Sequence, residues 1–277
     1  MSGTLYLVAT PIGNLSDFSP RAIRTLETVD FIAAEDTRVS MRLMNHFEIK
    51  KPLVSYHEHN CNSAGQTILN RLLSGESCAL VTDAGTPAIS DPGEDLVRLC
   101  AENGVEVFSI PGCCAAVNAL AVSGLPTGRF TFEGFLTVNK KPRRAHLESL
   151  KNEERTMIFH EAPHKLRGTL DDFCATFGPD RRISLCRELT KLHEETLRMT
   201  LGEAVAYYEE HDPKGEYVLV LAGAEHREET TAVTLEDAVA QVKALQAQGM
   251  RLKDAAKEVA AHTGLSKNEL YSAALEN

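Results

Sequence analysis

The chain has 277 residues, of which 43% are hydrophobic and 25% charged, and a formal net charge of −10. This length and balance describe a folded chain of about two domains rather than a disordered one. No apolar run reaches the roughly 18 residues that a membrane helix needs. The acidic balance disfavours unspecific binding to nucleic acid, because like charges repel, but it leaves room for a local basic site.

Short apolar runs alternate with amphipathic stretches from the start. MSGTLYLVATPIG has no basic segment followed by a long apolar one, so it reads as a first strand rather than a secretory leader. Strands are expected at 5–9, 31–34, 53–56, 78–82 and 105–110. Ser19-Pro20 is a helix-start signal, with Ala22, Ile23, Leu26 and Val29 on one face. Further helices begin near Asn62/Ser63 and Glu94 and stop at Gly75 and Gly104. Strands alternating with helices predict a mostly parallel, doubly wound sheet over 1–122, with ligands beyond the carboxyl ends of its strands.

After Ser123-Gly124-Leu125-Pro126, strands are expected at 130–136, 156–160, 183–187, 195–200 and 217–222, with helices at 142–151, 164–177 and 202–210. The short gap before 195 predicts an antiparallel pair, hence a second α/β domain over 123–224 with a mixed sheet. A polar linker, 225–231, leads to a helical module over 232–277. There a helix ending near Gly264 and a helix capped by Ser266, with Leu270, Ala273 and Ala274 inward, outline a helix-turn-helix. Its four Lys/Arg against four Asp/Glu from Arg251 onward fit a packing or dimerisation hairpin equally well. The seven cysteines, an odd number without regular spacing, suit a reducing cytoplasm.

Three loops at the carboxyl edge of the first sheet carry the chemistry. VATPIGN (8–14) has one glycine, no Lys-Ser/Thr pair and a proline that removes a donor. TDAGTPAISDPG (82–93) combines small residues, which admit a ligand to the main chain, with prolines that stiffen the loop. IPGCCAAVNAL (110–120) opens a helix whose free N–H groups suit a carboxylate. None carries the lysine or arginine that a triphosphate needs. A phosphate-free nucleoside with a zwitterionic tail fits, and S-adenosylmethionine is such a molecule.

The other polar stretches have plain alternatives. HEHNC (57–61) matches no common zinc spacing and reads as a polar loop, so no metal is expected. NKKPRR (139–144) is either a solvated loop or a phosphate contact. An internal ion-pair network explains Arg187-Glu188 and Glu194-Glu195 at least as well as a functional set does, and Glu35-Asp36-Thr37-Arg38 reads as a salt bridge or a substrate contact.

Taken together and in order, PIGN (11–14), AAEDTR (33–38), TDAGTPAISDPG (82–93), IPGCCAA (110–116), FEGFL (132–136), FHEAPHK (159–165), CRELTKLHEE (186–195) and GEYVLV (215–220) resemble the tetrapyrrole-methylase superfamily, most closely its ribosomal RNA branch. One departure is Cys113, where that branch usually has a second proline. The resemblance implies two α/β domains with S-adenosylmethionine between them, a homodimer, and a cytoplasmic enzyme without a membrane partner. It implies methyl transfer to the ribose 2′-oxygen of a cytidine in the decoding region of 16S rRNA, in the small ribosomal subunit. A porphyrin-like small substrate is the alternative on the same fold. The cofactor residues carried over are Pro11, Gly13, Asp83, Ala84, Gly85, Thr86, Ala115 and Ala116, with Phe159 and Leu219 as walls for the adenine. Glu161 and Lys165 are the expected catalytic pair, because FHEAPHK ends a strand of the second domain. RNA contacts are expected at Lys140, Lys141, Arg143, Arg144, His57 and Arg38.

Overall fold

A computed structural model describes residues 2–225 and 234–276. Two compact units result, Met1–Ala224 and Glu225–Asn277. The expected linker lies outside the described residues beyond Glu225. Ten strands in the described residues form two five-stranded sheets.

The first sheet holds β1 (Thr4–Val8), β2 (Phe31–Ala34), β3 (Leu53–Ser55), β4 (Cys78–Val81) and β5 (Glu106–Ile110), all parallel, in the order β3-β2-β4-β1-β5. β2 and β4 are buried throughout, as strands covered by helices on both faces must be. On one face Leu5, Phe31 and Leu80 pack with Ile68, Leu72 and Leu96 of α3 (Cys61–Leu73) and α4 (Glu94–Glu102). On the other, Val8, Ile32 and Val81 pack with Ala22 and Leu26 of α1 (Pro20–Thr28) and Met44 of α2 (Thr37–His46). α1 starts as its Ser-Pro signal predicts, with Ser19 Oγ accepting from Ala22 N at 3.1 Å. α2 was not expected. The signal for it is Asp36, whose carboxylate accepts from Arg38 N at 2.8 Å and caps the helix.

The second sheet holds β6 (Phe130–Phe135), β7 (Thr156–Glu161), β8 (Arg182–Arg187), β9 (Glu195–Thr200) and β10 (Tyr217–Leu221), in the order β6-β7-β10-β8-β9. Only β6 and β7 pair in parallel, and β8–β9 is the expected antiparallel pair. Alternation assigns its two faces. Met157, Phe159, Leu185, Leu219 and Leu221 pack under α6 (Lys140–Ser149), α7 (Leu166–Phe177) and α8 (Leu201–Glu210). Ile158, Cys186, Val218 and Val220 face the other way, onto Ala116, Ala119 and Leu120 of α5 (Ala115–Val122), with Ile12 at the margin. The helix that ends the first sheet is thus the floor of the second.

In the second unit, α9 (Leu235–Ala247), α10 (Leu252–Thr263) and α11 (Lys267–Glu276) bury Ala238, Val242, Ala255, Val259 and Leu270 together. Gly264 closes α10 at φ +70, a left-handed turn that suits glycine. In the described residues no helix is long and apolar enough to cross a membrane.

Phe173 is fully buried between Phe159 and Phe177. Phe173→Ala is expected to lower unfolding free energy by roughly 3–5 kcal/mol, read from the urea midpoint by circular dichroism. Leu192→Ala, at a side chain 93% exposed, is expected to change it by less than about 0.5 kcal/mol.

Candidate active site

Strand order locates the site. From β2 the chain turns to β3 at one edge, and from β4 it crosses to β5 at the other. The carboxyl ends of β2 and β4 therefore flank a topological switch point, where open α/β sheets bind ligands. There Thr82 Oγ1 donates to Glu35 Oε2 at 2.8 Å, and Asp36 N donates to Asp83 Oδ1 at 3.1 Å. Burial pushes Asp91 up to about 6, with Glu35 and Asp83 adding to the shift. Burial also raises Asp83, helped by the carboxylates of Glu35 and Asp36.

The three expected loops are tied into one surface. Thr10 N donates to Gly85 O at 2.8 Å, and Gly85 N returns a bond to Thr10 O at 3.1 Å. Thr86 Oγ1 donates to Cys113 O at 2.9 Å, joining the second loop to the third. Gly85 has φ +89, which only glycine adopts freely. Ala88 and Ser90 hold left-handed φ values of 67 and 60 without that freedom, at about 1–2 kcal/mol each. Backbone strain of this kind concentrates at ligand sites. Pro11, Gly13, Val39, Arg42, His46 and Asp83 help to line a cavity of about 420 Å³ beside the first loop. Ala84 is exposed on the rim, Ala115 is half-buried and Ala116 packs into the core. No side chain caps the start of α5, so its first N–H groups have no partner within the helix.

The second half of the unit supplies the opposing wall. Lys191 lies over Gly13, where a side chain would collide with it. Its Nζ pairs with Glu188 Oε1 at 2.9 Å and Glu216 Oε2 at 2.8 Å, so this cation arrives neutralised. Glu188 and Thr190 hold left-handed φ values of 51 and 67 in the same loop. Arg187 pairs with Glu195 at 3.2 Å, as an internal ion pair requires, whereas Glu194 accepts from the main-chain N of Thr190. Sequence reading gave Lys191 and Glu216 no role. Their signal is the carboxylate-lysine-carboxylate set split between CRELTK and GEYVLV.

Several expected residues stand elsewhere. Phe159 and Leu219 are fully buried on the helix-covered face of the second sheet, so their side chains do not wall the crevice. Strand alternation turns Ile158 and Val218 to the other face, where they pack on α5. Glu161 shares the inward face with Phe159, is 4% exposed, and accepts from Thr169 Oγ1 at 2.5 Å and Ala162 N at 2.9 Å. It is a buried anchor, not a group on the cleft.

Lys165 lines a different hollow, of about 490 Å³, with Lys140, Arg143, Arg144 and His164. Arg143 there is mostly buried and already bound, donating to Asp172 Oδ2 at 2.6 Å and Thr169 Oγ1 at 2.9 Å. Lys140, Lys141 and Arg144 are exposed. NKKPRR is not a loop but the start of α6, with Asn139 before it. Arg38 is exposed in the first turn of α2 and holds Asp36 at 2.6 Å. That pairing and the helix N–H groups keep the Asp36 carboxyl well below its usual range. His57 follows β3, half-buried, with its Nδ1 lacking a partner. Among the described residues no group of three His, Cys, Asp or Glu is arranged to hold a metal ion.

The site can be compared with known proteins. Residues 4–205 match the model of the tetrapyrrole (corrin/porphyrin) methylases, and residues 233–277 match that of the RsmI C-terminal HTH domain. The chain is 49% identical to the ribosomal RNA small subunit methyltransferase I of Synechocystis sp., over 99% of this chain and 98% of that one. It is 50% identical to the protein of that name from Halalkalibacterium halodurans, over 98% and 94%. Two solved structures share the fold. A diphthine synthase superposes with a TM-score of 0.61 at 14% identity, over 80% of this chain and 90% of that one. A uroporphyrin-III-C-methyltransferase from Thermus thermophilus gives 0.55 at 20%, over 79% and 94%.

Asp91 gives a test of the switch-point electrostatics. The folded protein holds its proton up to about pH 6, whereas an unfolded aspartate loses it near its ordinary value of 3.8. Its contribution is therefore full below about pH 4 and lost as pH rises through 6. Asp91→Asn is expected to raise the melting temperature at pH 7, with the difference vanishing below about pH 4, as read by a calorimetric pH series.

Proposed function

The chain belongs to the tetrapyrrole (corrin/porphyrin) methylase family, in its ribosomal RNA small subunit methyltransferase I branch, and from that premise we propose that it methylates the ribose 2′-oxygen of a cytidine in the decoding region of 16S rRNA, with S-adenosylmethionine as donor. One observation carries the reading: three mutually bonded loops at the switch point, lined by main chain and small side chains, face a neutralised lysine. That lining suits a phosphate-free nucleoside with an amino-acid tail and rejects a triphosphate.

When bound, the donor supplies a methyl group already activated on a sulfonium. The chain's task is to orient it and to bring the ribose hydroxyl to about 3 Å from the methyl carbon. Pro11, Gly13, Asp83, Ala84, Gly85, Thr86, Ala115 and Ala116 hold the donor in this reading, chiefly through main-chain groups. Phe159 and Leu219 take no part as walls, and the face of the second sheet that carries Ile158 and Val218 lies on the α5 side.

RNA is held by Lys140, Lys141, Arg144 and Lys165, with Arg143 as a buttress fixed by Asp172. The first turn of α6 is basic, lacks any acid, and has no side-chain cap. Cations at that end oppose the helix dipole, a local conflict that a bound phosphate resolves by meeting both the N–H groups and the charges. Arg38 and His57, beyond β2 and β3 on the same sheet edge, extend the contact. Full-length relatives named for ribosomal RNA favour that substrate over a small porphyrin-like one. The family likeness further supports a homodimer that works on the small subunit in the cytoplasm.

The double variant Lys140→Ala/Arg144→Ala is expected to raise KM for small subunits about tenfold and to lower the log-log salt slope by roughly one to two. Calorimetric affinity for S-adenosylmethionine should stay within about twofold, since neither residue lines the donor crevice. Primer extension at low nucleotide concentration reads the product. Wild-type protein that leaves the cytidine ribose unmethylated with donor present refutes the function.

A further inference from the structure

His160 lies beside Glu161 on β7 and therefore points to the opposite face. That face is the one on which Ile158 and Val218 meet α5 and the first loop. His160 pairs in register with Val218, and its ring is held edge-on by Phe132 and Phe135, each at 5.3 Å. The second loop reaches this part of the sheet, since Ser90 Oγ lies against Gly134 of β6. The ring is thus fixed at the carboxyl end of β7, on the side facing the donor loops. Its Nε2 is buried and has no hydrogen-bond partner. A buried polar atom without a partner is costly unless a ligand satisfies it.

We propose that His160 Nε2 accepts the ribose 2′-hydroxyl proton during methyl transfer, a role that rests on the function proposed above. As the oxygen–carbon bond forms, the donor's carbon–sulfur bond breaks with its electron pair going to sulfur. The hydroxyl proton passes to Nε2, and the imidazolium then releases it to solvent. Atoms and charge balance, because the donor's positive charge ends on the imidazolium. Glu161 cannot serve, since it faces inward and its oxygens already accept two hydrogen bonds. Lys165 lines the hollow across the strand. Burial holds His160 below the ordinary histidine range, opposed by the carboxylate of Glu216, and from β6 the rings of Phe132 and Phe135 pack against it. The imidazole is accordingly neutral at pH 7 and able to take a proton.

Two variants test this, His160→Gln and His160→Phe, the second keeping the aromatic packing with Phe132 and Phe135. Both are expected to lose roughly 10²–10⁴-fold in kcat, with KM for small subunits within about threefold. The fall of wild-type kcat at acid pH should be absent from both. As a readout independent of turnover, the His160 Hε1 resonance should titrate below pH 6.5. It should also shift when a decoding-region RNA hairpin joins the S-adenosylhomocysteine complex. Variants within threefold of wild-type kcat, or a ring resonance unmoved by the hairpin, overturn the assignment. Failure of the wild type to methylate the ribose removes the function and the proton acceptor together, whereas active variants beside an active wild type remove only His160.

Discussion

The reciprocal main-chain bonds between Thr10 and Gly85 hold the site together. They join the end of β1 to the end of β4, and Thr86 carries the connection to Cys113 and so to the start of α5. Because α5 is also the floor of the second sheet, these few bonds tie the three loops to the half that carries the opposing wall. A glycine at 85 is required on conformational grounds, since its φ of +89 accompanies both bonds.

Order and strain are distributed unevenly around that connection. The central strands β2 and β4 are fully buried, and the apolar faces of the sheet fill two separate cores. The loops themselves hold non-glycine residues in left-handed conformations at Ala88, Ser90, Glu188 and Thr190. Two of the four belong to the second loop and two to the opposing wall. A rigid frame tolerates such positions because the stability of the cores exceeds their cost.

The end of β7 divides the chemistry in two. His160 faces the side of α5 and the first loop, and Glu161 faces the helices, where Thr169 links it to Arg143 and the basic hollow. One strand thereby presents a histidine to one face and a buried carboxylate, tied to the basic hollow, to the other.

Much of this was legible in the residues. Period-two and helical spacing predict all ten strands to within two residues, because burial on one or both faces imposes those periods locally. Glycine-containing turns after apolar runs locate the three loops, since only such residues permit the turn. The α2 helix was missed, its start depending on a single aspartate cap that also reads as a salt-bridge partner. What residue order cannot say is which face of a strand meets the ligand. Shifting by one position exchanges core for crevice, and that exchange separates Phe159, Leu219 and Glu161 from Ile158, Val218 and His160. Lys191 shows the same limit, because it acquires its place over Gly13 only through contacts nearly 180 residues apart. The amino-acid order determined the strands, the loops and the kind of ligand they suit. Tertiary packing alone decided the facing of each side chain, because the second face of a sheet is defined by what is laid against it.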